Sequence, residues 1–284
     1  MDLNRDIEAE IILRNNTPLD DFLGLTPTEI HDLIYKPLDK NSVIKLNDNI
    51  DDKILDQIPL FKISEEYLRI IQRDKHIKLT PLGALPKKVM VELYDKRILL
   101  DEHIESGLTK LWKEQDCISI MSARYTLELS GLVKKSAGKI ILTKKGIESL
   151  KKENRQQLFK EFILGFTGKF SWGFNDGFPE QPIGQFAWLF SIYMLDKYGD
   201  QSRKVDFYAE KYLKAFPDFI NYFTERYPSK KDQFIRCYDV RAFQRFLLWL
   251  GFVSVDVKRT YADSDYNEYK RTDLLKRIFH VDSN

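Results

Sequence analysis

Cys117-Ile118-Ser119-Ile120-Met121-Ser122-Ala123-Arg124-Tyr125-Thr126-Leu127-Glu128-Leu129-Ser130-Gly131-Leu132-Val133-Lys134-Lys135-Ser136-Ala137-Gly138-Lys139-Ile140-Ile141-Leu142-Thr143 is the most informative stretch of this 284-residue chain. Ile118, Met121, Tyr125, Leu127 and Leu129 fall largely along one side of a helix. Gly131 suits the left-handed position that ends it. Leu132 to Lys135 and Lys139 to Leu142 are short β-prone runs around Ser136-Ala137-Gly138, the composition of a tight hairpin. Thr143 can cap a further helix through Leu150, because its hydroxyl can accept from an otherwise unpaired amide.

Helix, glycine, hairpin and helix is the order of a winged-helix domain. Leu129-Ser130-Gly131-Leu132-Val133 and Leu142-Thr143-Lys144-Lys145-Gly146 resemble the recognition-helix end and wing of bacterial winged-helix regulators. Internal repetition strengthens the reading. Ile77-Lys78-Leu79-Thr80-Pro81-Leu82-Gly83 echoes Ile140 to Gly146 but lacks a first wing strand. Near the C-terminus, an apolar helix from Phe243 to Leu250 meets Gly251, a strand Phe252 to Val257, a long polar tip from Lys258 to Glu268, and Thr272 before a helix from Asp273. The expectation is up to three winged-helix-like units, with Gly131 equivalent to Gly251 and Thr143 to Thr272. Generic helix-hairpins packed in one core are the alternative.

Elsewhere the pattern is helical. Thr26 precedes Pro27 and Glu29, which predicts a helix over 27–35 that Pro37 ends. Further helices are expected from Ser64 to about Asp74 and over 87–94, 155–166, 183–198, 207–216 and 218–227, with a brief strand at 77–80. The fold class is therefore mainly α with short β-hairpins (α+β), as winged-helix-like units around a helical core. Three domains are expected: 1–100, helical with a partial unit; 101–154, a winged-helix-like unit; and 155–284, aromatic-rich and ending in another. The loop Trp172 to Pro179 is apolar enough to bury in part, either as a core plug or as the wall of a ligand pocket.

Composition narrows the function classes. The chain has 43% hydrophobic, 13% aromatic and 31% charged residues, a globular balance. Its apolar runs fall short of the roughly 20 residues of a membrane span, so no membrane partner is expected. The first residues lack the pattern of a secretory signal, which predicts a cytoplasmic location. Cys117 and Cys237 stand alone, as reduced core thiols do.

Gly24-Leu25-Thr26-Pro27-Thr28-Glu29-Ile30-His31-Asp32-Leu33-Ile34-Tyr35 and Lys78-Leu79-Thr80-Pro81-Leu82-Gly83-Ala84-Leu85-Pro86 are similar to two motifs of uncharacterised bacterial proteins related to the plasmid pRiA4b ORF-3 family. The resemblance spans roughly the first hundred residues. It implies a bacterial source and carries no site residue with it.

His31, His76, His103 and His280 are scattered outside any zinc motif, and the chain has no P-loop, no dinucleotide fingerprint and no nucleophile elbow. Asp101, Glu102, His103 and Glu105 form the best acid-base cluster, and Asp51, Asp52 and Asp56 lack the EF-hand pattern. No enzyme, cofactor or metal is expected. Binding has the better physical basis, since phosphate contact needs clustered cations on an accessible element. Lys134, Lys135 and Lys139 would sit on the wing, and Ser122, Arg124 and Tyr125 on the helix before it, with Arg124 able to contact guanine in duplex DNA. Against this stand a net charge of only +2 and a pI near 8.3, and an apolar third-unit helix that reads as core. Duplex DNA binding in transcription regulation, and use as a protein-interaction module, both remain open.

Overall fold

The computed structural model describes residues 3–225, 227–259 and 265–282. About 54% of the chain is helical and 10% lies in small antiparallel sheets, which makes it mainly α with short β elements, as expected. It divides into two compact units. A central unit comprises Asn49–Trp172 with Trp249–Gly251, and a terminal unit comprises Met1–Asp48, Gly173–Leu248 and Phe252–Asn284. The boundaries expected at residues 100 and 154 thus fall inside the central unit.

The terminal unit begins with α1 (Leu3–Asn15), α2 (Pro27–Tyr35) and β1 (Ile44–Leu46). The α2 start is the expected one: Thr26 Oγ1 accepts from the Glu29 N–H (3.2 Å) and Glu29 Oε2 accepts from the Thr26 N–H (2.7 Å). The central unit follows with α3 (Asp52–Leu55), α4 (Pro59–Asp74), β2 (Ile77–Lys78), α5 (Lys87–Tyr94), α6 (Glu102–Glu105), α7 (Ile118–Leu129), β3 (Val133–Ser136), β4 (Lys139–Leu142), α8 (Lys144–Ser149) and α9 (Arg155–Gly168). The chain then returns to the terminal unit through α10 (Trp188–Tyr198), β5 (Arg203–Lys204), α11 (Val205–Ala215) and α12 (Lys230–Tyr238), which runs on as a π-helix over Asp239–Leu248. β6 (Val253–Val257), β7 (Glu268–Arg271), α13 (Asp273–Ile278) and β8 (Phe279–Val281) complete it.

Both units repeat one topology. Apart from the four-residue α6 between α5 and α7, each runs helix, strand, helix, helix, strand, strand, and the three strands pair antiparallel in the order β2-β4-β3 and β5-β7-β6. Gly131 and Gly251 hold equivalent left-handed positions, at φ 72° and 73°. After them the Leu132 N–H bonds to the Leu127 carbonyl (3.0 Å) and the Phe252 N–H to that of Leu247 (2.8 Å). At the other end of each hairpin, the Thr143 N–H meets the Leu132 carbonyl (3.1 Å) and the Thr272 N–H that of Phe252 (3.0 Å). Leu132, Val133, Phe252 and Val253 are all buried. Thr143 caps α8 by accepting from the Gly146 N–H (3.0 Å), whereas Thr272 does not cap α13 with its side chain.

The echo at Ile77 is not a third unit. Ile77 pairs with Ile140 and Lys78 with Lys139, so these residues are the first strand of the sheet that ends in the 133–142 hairpin. A two-residue strand has too little ladder of its own to stand apart from that sheet. Other expectations move for local reasons. Gly184 (φ 77°) and Ala187 (φ 50°) are left-handed, which delays the helix expected from 183 until Trp188. The helix expected over 218–227 is only a 3-10 turn at Pro217–Tyr222.

The two cores are aromatic. In the central unit Phe61 meets Phe159 edge-on (5.2 Å between centroids), and Phe162 stacks on Phe166 (6.0 Å). The terminal unit packs Tyr208, Tyr212, Tyr238, Phe243 and Tyr269, all buried. Each such ring pair contributes roughly 0.5–1.5 kcal/mol beyond its buried area. Among the described residues no helix is long and apolar enough to cross a membrane.

Candidate nucleic-acid interface

Successive strand residues point to opposite faces, so the register of the central sheet sorts its side chains. Ile77, Val133 and Ile140 are buried on one face. On the other, Lys78 stands directly opposite Lys139, Lys139 opposite Ser136, and Lys134 opposite Ile141. All three lysines are exposed. Among the described residues none of the three forms an ion pair. Like charges directly opposed across strands disfavour a sheet, and at these exposed positions solvent and salt are what screen them. Ala137 (φ 47°) and Gly138 (φ 71°) close the hairpin in a two-residue turn with both φ positive, the geometry that matches strand twist.

The other residues expected at the site are differently placed. Lys135 is on the α7 side of the sheet, with Nζ 3.6 Å from Glu128 and 5.8 Å from the Tyr125 ring. Tyr125 is half-buried beneath it, and Ser122 is fully buried. Arg124, expected to read guanine, has 0% exposure. Its guanidinium donates to Glu114, to Glu128 Oε1 (2.8 Å) and to the Gly83 carbonyl (2.9 Å). Burial alone would lower its pKa, but Glu114 and Glu128 more than offset this and hold it above its ordinary value. Arg124 is therefore a clamp between α7, residue 114 and the loop after β2, and its donors are spent inside the protein.

The burial of α7 explains the correction. Ser119, Ser122, Ala123 and Thr126 are small enough for neighbouring chain to close over the helix, and only Leu129 within it is exposed. On α9, a Cβ at Gly165 would lie 1.9 Å from Ser130 Oγ, so glycine is what permits that approach. Lys78 is the residue the sequence reading missed at this site. Its role depends on pairing with a strand sixty residues away, and no local signal marks it.

In the terminal unit's sheet, Lys204 is offset where Lys78 is not. Lys204 is opposite Glu268 and pairs with Asp265 (2.9 Å). Its long third helix is core, as expected, with Phe243, Phe246 and Leu247 buried. Asp239 on that helix accepts from Tyr269 Oη (2.6 Å), Asn267 Nδ2 (2.7 Å) and Gln244 Nε2 (3.1 Å). Burial raises its pKa, and those three bonds oppose the rise.

The acidic clusters have structural work. Asp101 caps α6 through the His103 and Ile104 N–H groups, and Glu105 accepts from Tyr94 Oη (2.9 Å) and Arg97 (2.7 Å). Asp51 caps α3, while Asp52 and Asp56 pair with Arg155. Among the described residues no group of three His, Cys, Asp or Glu is placed to hold a metal ion. Both cysteines are buried free thiols, and burial pushes Cys237 up to about 12. In the loop after α9, Trp172 is a plug, donating from Nε1 to the Phe166 carbonyl (2.9 Å), while Asp176 to Pro179 line a cavity of about 500 Å³ in the terminal unit.

No protein-family model, characterised protein or solved structure matches this chain.

Proposed function

We propose that the chain is a non-catalytic nucleic-acid-binding protein built on winged-helix units, which grips the sugar-phosphate backbone of duplex DNA through Lys78, Lys134 and Lys139. One observation carries this: three exposed lysines share a face of the central sheet, two directly opposed, with no acidic partner among the described residues. A row of phosphates relieves that repulsion, and no acidic side chain among the described residues pairs with any of the three. The repeated helix-strand-helix-helix-strand-strand order supports the winged-helix reading. Because α7 is buried, binding follows charge and shape and not base sequence.

The test separates a binding role from a structural one. Lys78→Glu creates an opposite-charge pair with Lys139, so it is expected to stabilise the sheet by roughly 0.2–1 kcal/mol. It should weaken duplex binding at the same time. K78E/K134E/K139E together should abolish binding and its salt dependence, measured between about 50 and 200 mM salt, where each phosphate contact contributes about 0.9 to the log-log slope. A wild-type chain with no salt-sensitive retention of DNA would overturn the reading.

A second reading, as a protein-interaction module, is favoured by α1, whose Ile7, Ile11, Ile12 and Leu13 are 47–70% exposed. The retention experiment decides between the two.

A further inference from the structure

The lysine face does not end at the hairpin turn. The Leu79 N–H bonds to the Gly138 carbonyl (2.9 Å), so the loop after β2 continues from the turn itself. That loop folds back sharply: the Gly83 N–H meets the Thr80 carbonyl (2.8 Å), and Leu82 is left 96% exposed. Beside it is a cavity of about 750 Å³ whose wall includes Pro81, Leu82, Leu85, Trp112 and Glu114. Trp112 is 63% exposed, an unusual state for the largest apolar side chain. Its backbone is held from behind, since the Trp112 and Lys113 N–H groups both donate to Asp116 Oδ2 (2.9 and 2.8 Å).

Two further features give the cavity its chemistry. Lys87 Nζ lies over one face of the Trp112 ring, 3.8 Å from its centroid, and Lys113 is exposed beside it, so a base stacks on the opposite face or takes the place of the ammonium, with a cation at hand for its phosphate in either case. Glu114, only 2% exposed, is also in the wall. Its Oε2 accepts from the Leu85 N–H (2.8 Å) and from Arg124, while Oε1 is buried with no protein partner. A ring to stack on and cations for phosphate together match a nucleotide with its base unpaired. An apolar peptide would use the ring and leave the cations unanswered.

We propose that this cavity receives an unpaired nucleobase, stacked on Trp112, from a strand whose phosphates follow Lys139, Lys78 and Lys87. The chain then prefers single strands or duplexes with unpaired ends over blunt duplex. This rests on the backbone-binding reading above and adds its substrate class.

The experiment measures fluorescence anisotropy of a labelled mixed-sequence single strand and of the same sequence as a blunt duplex. Trp112→Ala should weaken single-strand binding roughly 10-fold or more, as loss of one stacked base does, and leave blunt-duplex binding unchanged. Trp112→Phe should recover most of the loss. Because the ring is exposed, an unchanged thermal midpoint shows that the alanine variant is folded. The single strand should also quench the part of the emission that Trp112→Ala removes, Trp172 and Trp188 being buried and Trp249 half-buried. Equal losses for both DNA forms, or no loss for either in a chain that still binds DNA in a salt-dependent way, would overturn the stacking inference alone. In the second case the cavity passes to a protein partner. Absence of any salt-dependent binding by the wild-type chain would instead overturn the backbone reading on which it stands.

Discussion

Arg124→Ala is expected to cost the central unit about 3–5 kcal/mol, because it removes one partner of a buried ion pair and leaves the other. Glu114 would keep its carboxylate inside the protein with only the Leu85 N–H bonded to it, and the Gly83 carbonyl would lose its donor. Arg124→Lys should recover only part of this, since a single ammonium cannot reproduce the planar fork that serves Glu114, Glu128 and Gly83 together. Chemical denaturation measures the loss, and amide exchange should quicken in α7 and in the loop at 80–86. The same variant separates two roles for this residue. A base-reading arginine would change DNA preference with little effect on stability. A clamp would do the reverse, with blunt-duplex affinity unchanged wherever the variant is folded.

How far the sequence could be read depended on the distance over which each feature is determined. The α2 start needs only Thr26, Pro27 and Glu29, and it was legible. The equivalence of Gly131 and Gly251 was legible too, because a helix end, a left-handed residue and a β-prone run are adjacent in the chain. Features set by partners far along the chain were not. Ile44 pairs with Val281, and neither three-residue strand has a pattern of its own. α12 was missed because it opens on Lys230, Lys231 and Asp232, and buries Gln233 where an apolar residue would have marked the stripe. At the candidate site, Lys134 and Lys139 could be assigned to a hairpin from composition alone. Their grouping with Lys78, and the loss of Arg124 and Ser122 to the interior, follow from register and from small residues on α7, whose serines and threonine look solvent-facing in a linear sequence.

The second large effect is expected in the terminal unit. Asp176→Ala should cost about 3–5 kcal/mol by leaving the Arg241 guanidinium buried without its counter-charge. Both side chains are 1% exposed, and the pair is bidentate, with Nε to Oδ2 at 2.6 Å and a terminal nitrogen to Oδ1 at 3.1 Å. The remaining donors of Arg241 hold the Gln181 carbonyl (2.5 Å) and the Pro179 carbonyl (2.8 Å), so one side chain on the π-helix fastens the loop from 176 to 181. Gly173 is part of the same fit, since a Cβ there would lie 2.6 Å from the guanidinium. If the cost comes from an uncompensated charge and not from lost volume, removing both partners should be milder than removing either. Asp176→Ala with Arg241→Met is therefore expected to be more stable than Asp176→Ala alone, with a coupling energy of roughly 0.5–3 kcal/mol in a double-mutant cycle by denaturation. Additive losses would mean that Arg241 holds the loop through its carbonyl bonds and that Asp176 contributes little beyond packing.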